Sequence, residues 1–79
     1  MNVNKAVATR IANLLKEKNM TKYRLAMNSG VTHSTLNNIM NETIRHSLLS
    51  TIILIAGGFD MTVSQFLDDD LFLGENLNI

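Results

Sequence analysis

Apolar residues recur along the chain at helical spacing, and the spacing predicts a series of short helices. Val7, Ile11, Leu14 and Leu15 fall at i, i+4, i+7 and i+8, the stripe by which an amphipathic helix faces a core. Asn2 or Asn4 can cap that helix, which runs to about Lys18, and Asn19 can serve as the left-handed residue that closes it. Lys16 and Lys18 suit the negative end of the helix dipole and read as a solvated face.

The next stretch, Thr21 to Met40 (TKYRLAMNSGVTHSTLNNIM), reads as two helices joined by a tight turn at Ser29-Gly30-Val31. Leu25, Ala26, Val31, Leu36 and Ile39 are apolar where two steeply crossing helices would meet, and Ala26 stands where a larger side chain would hold them apart. Gly30 follows the first helix directly, at a position that calls for a positive φ. Thr21 can cap the first helix and Thr32 the second. The second helix then turns His33, Ser34, Asn37 and Asn38 outward. Asn and Ser both donate and accept hydrogen bonds, as base edges require, and an α-helix fits the major groove of B-DNA.

A polar loop, NETIRHS, precedes a fourth helix that Ser47 can cap. There Leu49, Ile52, Ile53, Ile55 and Ala56 are expected to form the buried face, with Leu48 and Leu54 outside it as a candidate partner face. Gly57-Gly58-Phe59-Asp60 ends that helix. Thr62-Val63-Ser64-Gln65 has the spacing of a capping box, and Val63, Phe66 and Leu67 are expected to return to the core. Asp68, Asp69 and Asp70 read as a solvated acidic turn, because no histidine or further carboxylate is placed to complete a metal site. The ending, LFLGENLNI, carries Leu71, Phe72, Leu73, Leu77 and Ile79. It is too apolar to lie free in water, and burial against a second subunit or against its own domain would each account for it.

The window from Thr21 to Met40 resembles the helix-turn-helix of the Cro and lambda-repressor type, the XRE family, with Ala26, Gly30, Leu36 and Ile39 at that family's small, glycine and aliphatic positions. The similarity extends from about Arg10 to Leu67, since LLKEKNMTKYRLA before the motif and TIILIAGGFDMTVSQFL after it resemble the flanking helices. It implies an all-α, five-helix lambda-repressor-like domain over residues 1–70, with the helix-turn-helix at helices two and three. Residues 71–79 form an apolar tail that can contribute to a dimer interface.

The resemblance also implies site residues. Base-edge contacts would come from Thr32, His33, Ser34, Asn37 and Asn38, an Asn bonding adenine N6 and N7 together and the Thr methyl touching a thymine methyl. Lys22 would lie beside the DNA backbone, with Tyr23 and Arg24 adding contacts from the same helix end. Tyr23 equally suits packing on the first helix with its hydroxyl in water. Asn41, Thr43 and Arg45 would clamp phosphates from the loop. Glu42 departs from the pattern, since family members often carry glycine there and a carboxylate near phosphate repels.

Composition narrows the alternatives. The 79 residues suffice for one domain, and without cysteine neither a disulfide nor a thiolate metal site can form. The absence of proline and the presence of only four glycines favour an all-helical chain. No apolar run reaches the ~20 residues of a membrane span, and the N-terminus lacks the apolar core of a signal peptide, so a soluble cytoplasmic protein is expected. An enzyme has little to stand on: there is no glycine-rich phosphate loop, no His-carboxylate metal spacing and no acid pair in an apolar setting. No cofactor is expected, and no small-molecule effector is evident.

Net charge is zero, with seven basic and seven acidic residues. The distribution is uneven. All seven cations and only Glu17 and Glu42 precede Ser47, while Asp60, Asp68, Asp69, Asp70 and Glu75 follow it. A polarised molecule can turn its basic half to phosphates, and an ordinary mixed surface is the alternative. The expected function is sequence-specific binding of double-stranded DNA as a transcriptional regulator, a repressor acting as a homodimer on a roughly palindromic site. The alternative is a partner-bound regulator, antitoxin-like or accessory, whose apolar C-terminal half engages another protein.

Overall fold

Four of the five α-helices among the described residues begin where a short polar side chain takes up an unpaired amide. In the computed structural model, which describes residues 1–43 and 48–78, α1 spans Val3–Glu17, and the Asn2 side chain accepts from the Lys5 amide at 2.7 Å. Thr21 caps α2 (Lys22–Ser29) through the Arg24 amide, and Thr32 caps α3 (His33–Met40) through the Thr35 amide, each at 3.1 Å. Thr62 and Gln65 close a reciprocal capping box at the start of α5 (Val63–Leu67). α4 (Leu49–Gly58) begins after Leu48 with no side-chain cap bond. Ser47, the expected cap, lies outside the described residues.

Three helices end in the same way. After α1, α3 and α4, the residues Asn19, Glu42 and Asp60 adopt φ values of 52°, 58° and 60°. The following amide reaches back five residues in each case: Met20 to Leu15, Thr43 to Asn38 and Met61 to Ala56, at 2.8, 3.0 and 2.9 Å. This is the Schellman closure, usually made with glycine. Gly57 and Gly58 are instead the last residues of α4, and the left-handed residue beyond them is Asp60.

The core collects one stripe from each helix: Val7, Ile11, Leu14 and Leu15 of α1, Leu25 of α2, Leu36 and Ile39 of α3, Ile52, Ile55 and Ala56 of α4, then Phe59 and Phe66. α1 packs against α3, and α2 packs against both α3 and α4. The α2–α4 approach depends on Gly58, where an added Cβ would stand 2.8 Å from the Ser29 Cβ and 2.9 Å from Leu25 Cδ1.

Two parts of the expected core lie elsewhere. Leu49 and Ile53 are 64% and 48% exposed. With Ile52, Ile55, Ala56 and Phe59 turned inward, the 100° step of the helix carries Ile53 to the outer side, whereas Leu49 shares the direction of Ala56 and is left exposed because it is the first residue of α4. Leu67, at the end of the short α5, is 41% exposed.

The acidic turn also differs from expectation. Arg10, on the buried face of α1, is 8% exposed. Its guanidinium donates to the carbonyls of Phe66 (2.8 Å) and Gln65 (3.1 Å) and to the Asp69 carboxylate (3.1 Å). Asp69 is therefore an internal partner, and it also accepts from the Leu71 amide. Beyond it, a 3₁₀ turn at Asp70–Phe72 brings Phe72 within 6.1 Å of the Phe66 ring. The Asn78 amide donates to the Met1 carbonyl at 2.9 Å. The tail thus folds back on its own domain, leaving Leu73 exposed.

Candidate nucleic-acid interface

The turn between α2 and α3 sets the angle at which the second helix leaves. Gly30 takes φ 76°, and its amide bonds the Ala26 carbonyl at 3.0 Å. The buried Ser29 hydroxyl joins the two sides of the corner, donating to the Ala26 carbonyl at 3.3 Å and accepting from the Val31 amide at 3.1 Å. Val31 then drops into the core.

α3 buries only Leu36 and Ile39. Thr32, His33, Ser34 and Asn38 are exposed, while Asn37 is half-buried. The Thr32 hydroxyl is engaged by the cap, accepting from the Thr35 amide and donating to Thr35 Oγ1 at 2.9 Å. Its methyl and one lone pair remain for a ligand.

Asn37 joins both neighbouring elements. Its Oδ1 accepts from Lys22 Nζ, the first side chain of α2, and its Nδ2 meets Nδ1 of His33, each at 3.1 Å. An ammonium has only donors, so the carbonyl end of the amide must face Lys22. The nitrogen then donates to His33, whose Nδ1 must be the unprotonated ring nitrogen.

The N-terminal end of α2 adds positive potential beside this face. Lys22, Tyr23 and Arg24 are all exposed, and Tyr23 at 66% leaves its ring in solvent rather than packed on α1. Among the described residues no carboxylate pairs with Lys22 or Arg24, the ion pair present being Arg10 with Asp69. Of the first amides of α2, that of Arg24 is taken up by the Thr21 cap, and those of Lys22 and Tyr23 have no helical partner. On the far side of α3, Asn41 and Thr43 are exposed, and the Thr43 hydroxyl donates to the Asn38 carbonyl at 3.1 Å. Arg45 lies outside the described residues.

These features form one outward polar face on a helix set by a glycine corner, flanked by cations. Residues 10–70 match the profile of the Cro/C1-type HTH DNA-binding domain. The chain belongs to that family. No curated protein matches the chain. The profile covers every helix of the Cro/C1-type domain except the first turns of α1, and it includes Arg10, Lys22 and all of α3.

Two functional connections in this Cro/C1-type domain escape a reading of the sequence. Counting charge places Arg10 among the surface cations. Its position three residues after Val7 and four before Leu14, at the edge of the apolar stripe, is the signal that it is internal. The link between Lys22 and Asn37 joins residues fifteen apart across the corner, and no local pattern announces it.

Proposed function

We propose that this Cro/C1-type domain is a sequence-specific double-stranded DNA-binding regulator of transcription, a cytoplasmic repressor acting as a homodimer on a palindromic site. The observation that carries the reading is the exposed polar face of α3 beside the free cationic end of α2. Thr32, His33, Ser34, Asn37 and Asn38 are the proposed base readers. Lys22, Tyr23, Arg24, Asn41, Thr43 and Arg45 are the proposed phosphate contacts. One α3 presents few side chains to a groove, so two copies on two half-sites supply the surface that specific binding needs.

Selection from a random duplex library tests this reading. It is expected to enrich a palindrome whose half-sites lie about 10 base pairs apart, centre to centre. Asn37→Ala and Asn38→Ala should each cost about 1–3 kcal/mol of discrimination at one base pair. A library that emerges unenriched removes the regulator reading. Repression itself is read from a reporter carrying the enriched site across its promoter, where expression should fall.

A second reading rests on α4 and the residue before it, where Leu48, Leu49, Ile53 and Leu54 are exposed. In that reading the face holds a different protein, as in an antitoxin-like or accessory regulator. Mass in solution separates the two: a clean homodimer favours the first reading, and a sticky or monomeric species favours the partner-bound form.

A further inference from the structure

The apolar residues near the end of the chain are mostly taken up inside the domain. Phe66 is buried, Phe72 packs on it, and Leu71 and Leu77 are half-buried. The apolar surface that remains is on α4. Its outward residues are Ser50, Ile53, Leu54 and Gly57, all exposed. Their spacing of i, i+3, i+4 and i+7 places them within an arc of about 100°. No charged residue lies between Leu48 and Phe59, and an added Cβ at Gly57 meets nothing within 4 Å.

The order of this stripe is small, large, large, small, and it reads the same from either end. A twofold axis requires that of a helix face, because each surface patch meets its own copy in reverse. A partner of unrelated sequence requires nothing of the kind. When α4 crosses a second α4 antiparallel, Ser50 of each copy stands opposite Gly57 of the other, and Ile53 and Leu54 of both copies close the middle layer. The small residues at the two ends let the axes approach to ~8 Å, the near end of the range for packed helices. Electrostatics sets the antiparallel sense. α4 begins with no side-chain cap bond, so a parallel pair would bring two uncapped, positive helix ends together.

We propose that two copies join through an antiparallel α4–α4 seam, Ser50 against Gly57 at each end. The inference rests on the homodimer in the reading above and deepens it, naming the surface and the relative direction of the two copies.

The chain has no cysteine, so introduced thiols report the register of the seam. Leu54→Cys should cross-link on mild oxidation, since this residue meets its own copy beside the axis. Ser50→Cys and Gly57→Cys should each stay uncross-linked when oxidised alone. The seven residues between these positions and the axis-related pairing set like thiols about 10 Å apart along the seam, beyond the ~7 Å between Cα atoms that a disulfide spans. An equal mixture of the two variants should cross-link, residue 50 of one chain to residue 57 of the other. Thermal melts establish that each variant is folded, and sedimentation of the unmodified chain over a range of concentrations should show monomer passing to dimer. Cross-linking of Ser50→Cys or Gly57→Cys alone, or none in Leu54→Cys or in the mixture, overturns the seam. An unmodified chain that stays monomeric at every concentration overturns the seam in the free protein. These measurements need no DNA. A chain that shows this pattern and enriches no duplex therefore keeps the seam and loses the regulator reading, and one that enriches a palindrome without the pattern loses the seam alone.

Discussion

Glu42 occupies φ 58° at the closure of α3, a left-handed conformation that L side chains adopt at a cost. The left-handed region crowds Cβ against the following carbonyl, a penalty of about 1–2 kcal/mol that glycine escapes at an entropic cost of about 0.5–1 kcal/mol. Asn19 and Asp60 hold the same conformation after α1 and α4, but short Asn and Asp side chains tolerate it better than Glu does. Glu42→Gly should therefore stabilise the fold by about 0.5–1 kcal/mol, seen as a melting point higher by several degrees, with a smaller gain for Asn19→Gly or Asp60→Gly. The substitution also removes a carboxylate from the loop proposed to meet phosphate. Affinity should rise on specific and random duplexes alike, most clearly at low salt. An unchanged melting point would show that the loop relieves the strain at another bond.

Adjacent glycines in α4 separate two effects that a sequence shows as one. At Gly57 an added Cβ meets nothing within 4 Å, so Gly57→Ala should gain the helix propensity of alanine, about 1 kcal/mol. At Gly58 the same methyl meets Ser29 and Leu25 side chains below 3.0 Å, and overpacking of this kind costs about 1–3 kcal/mol. Gly58→Ala should lower stability and loosen α2 from α4, while Gly57→Ala raises it. Thermal melts of the two variants, moving in opposite directions, are the check. The same helix shows why part of the fold was hidden in the sequence. The cap residues Asn2, Thr21, Thr32 and Thr62 were legible because a capping side chain acts within three residues of itself. α1 was legible because Lys5, Asn13, Lys16 and Glu17 mark the side its apolar stripe must avoid. α4, LSTIILIAGG, has no charged residue to fix its phase, so which isoleucines and leucines faced inward depended on the neighbours. In the candidate site, the outward set on α3 followed from spacing and resemblance. The bond from Lys22 to Asn37 did not, because it depends on the angle of the corner at Gly30.

Across the whole molecule, Arg10 ties α1 to the C-terminal segment over 55 to 59 residues of chain. A domain of this size has stability of order 4–12 kcal/mol, and Arg10→Met leaves two carbonyls and Asp69 without their donor. The loss should be about 2–3 kcal/mol, since hydrogen bonds to charged groups exceed neutral ones. Asp69→Asn, at a side chain 30% exposed, should cost less. Chemical denaturation of both variants and of the double mutant measures the coupling, which should be positive. The outer side of α4 is the other feature that only the assembled domain reveals. Leu48, Leu49, Ile53 and Leu54 are 68%, 64%, 48% and 51% exposed, and no charge lies between Leu48 and Phe59. Two copies related by a twofold axis can therefore face each other there without like-charge repulsion. At ~100 Å² per side chain, the four on each copy set an upper limit of ~800 Å² in total, short of the ~1,200 Å² at which stable complexes begin. On the proposed homodimer reading, the expected behaviour is reversible self-association, completed when a duplex with two half-sites holds both copies. Ile53→Lys should shift sedimentation to the monomer and leave the melting point within about 0.5 kcal/mol of wild type, as exposed substitutions do. Binding to an isolated half-site should be unaffected, whereas binding to the full palindrome should fall tenfold or more, because the second copy no longer adds to the first. Full-site affinity that survives Ile53→Lys would exclude this side of α4 as the contact between copies.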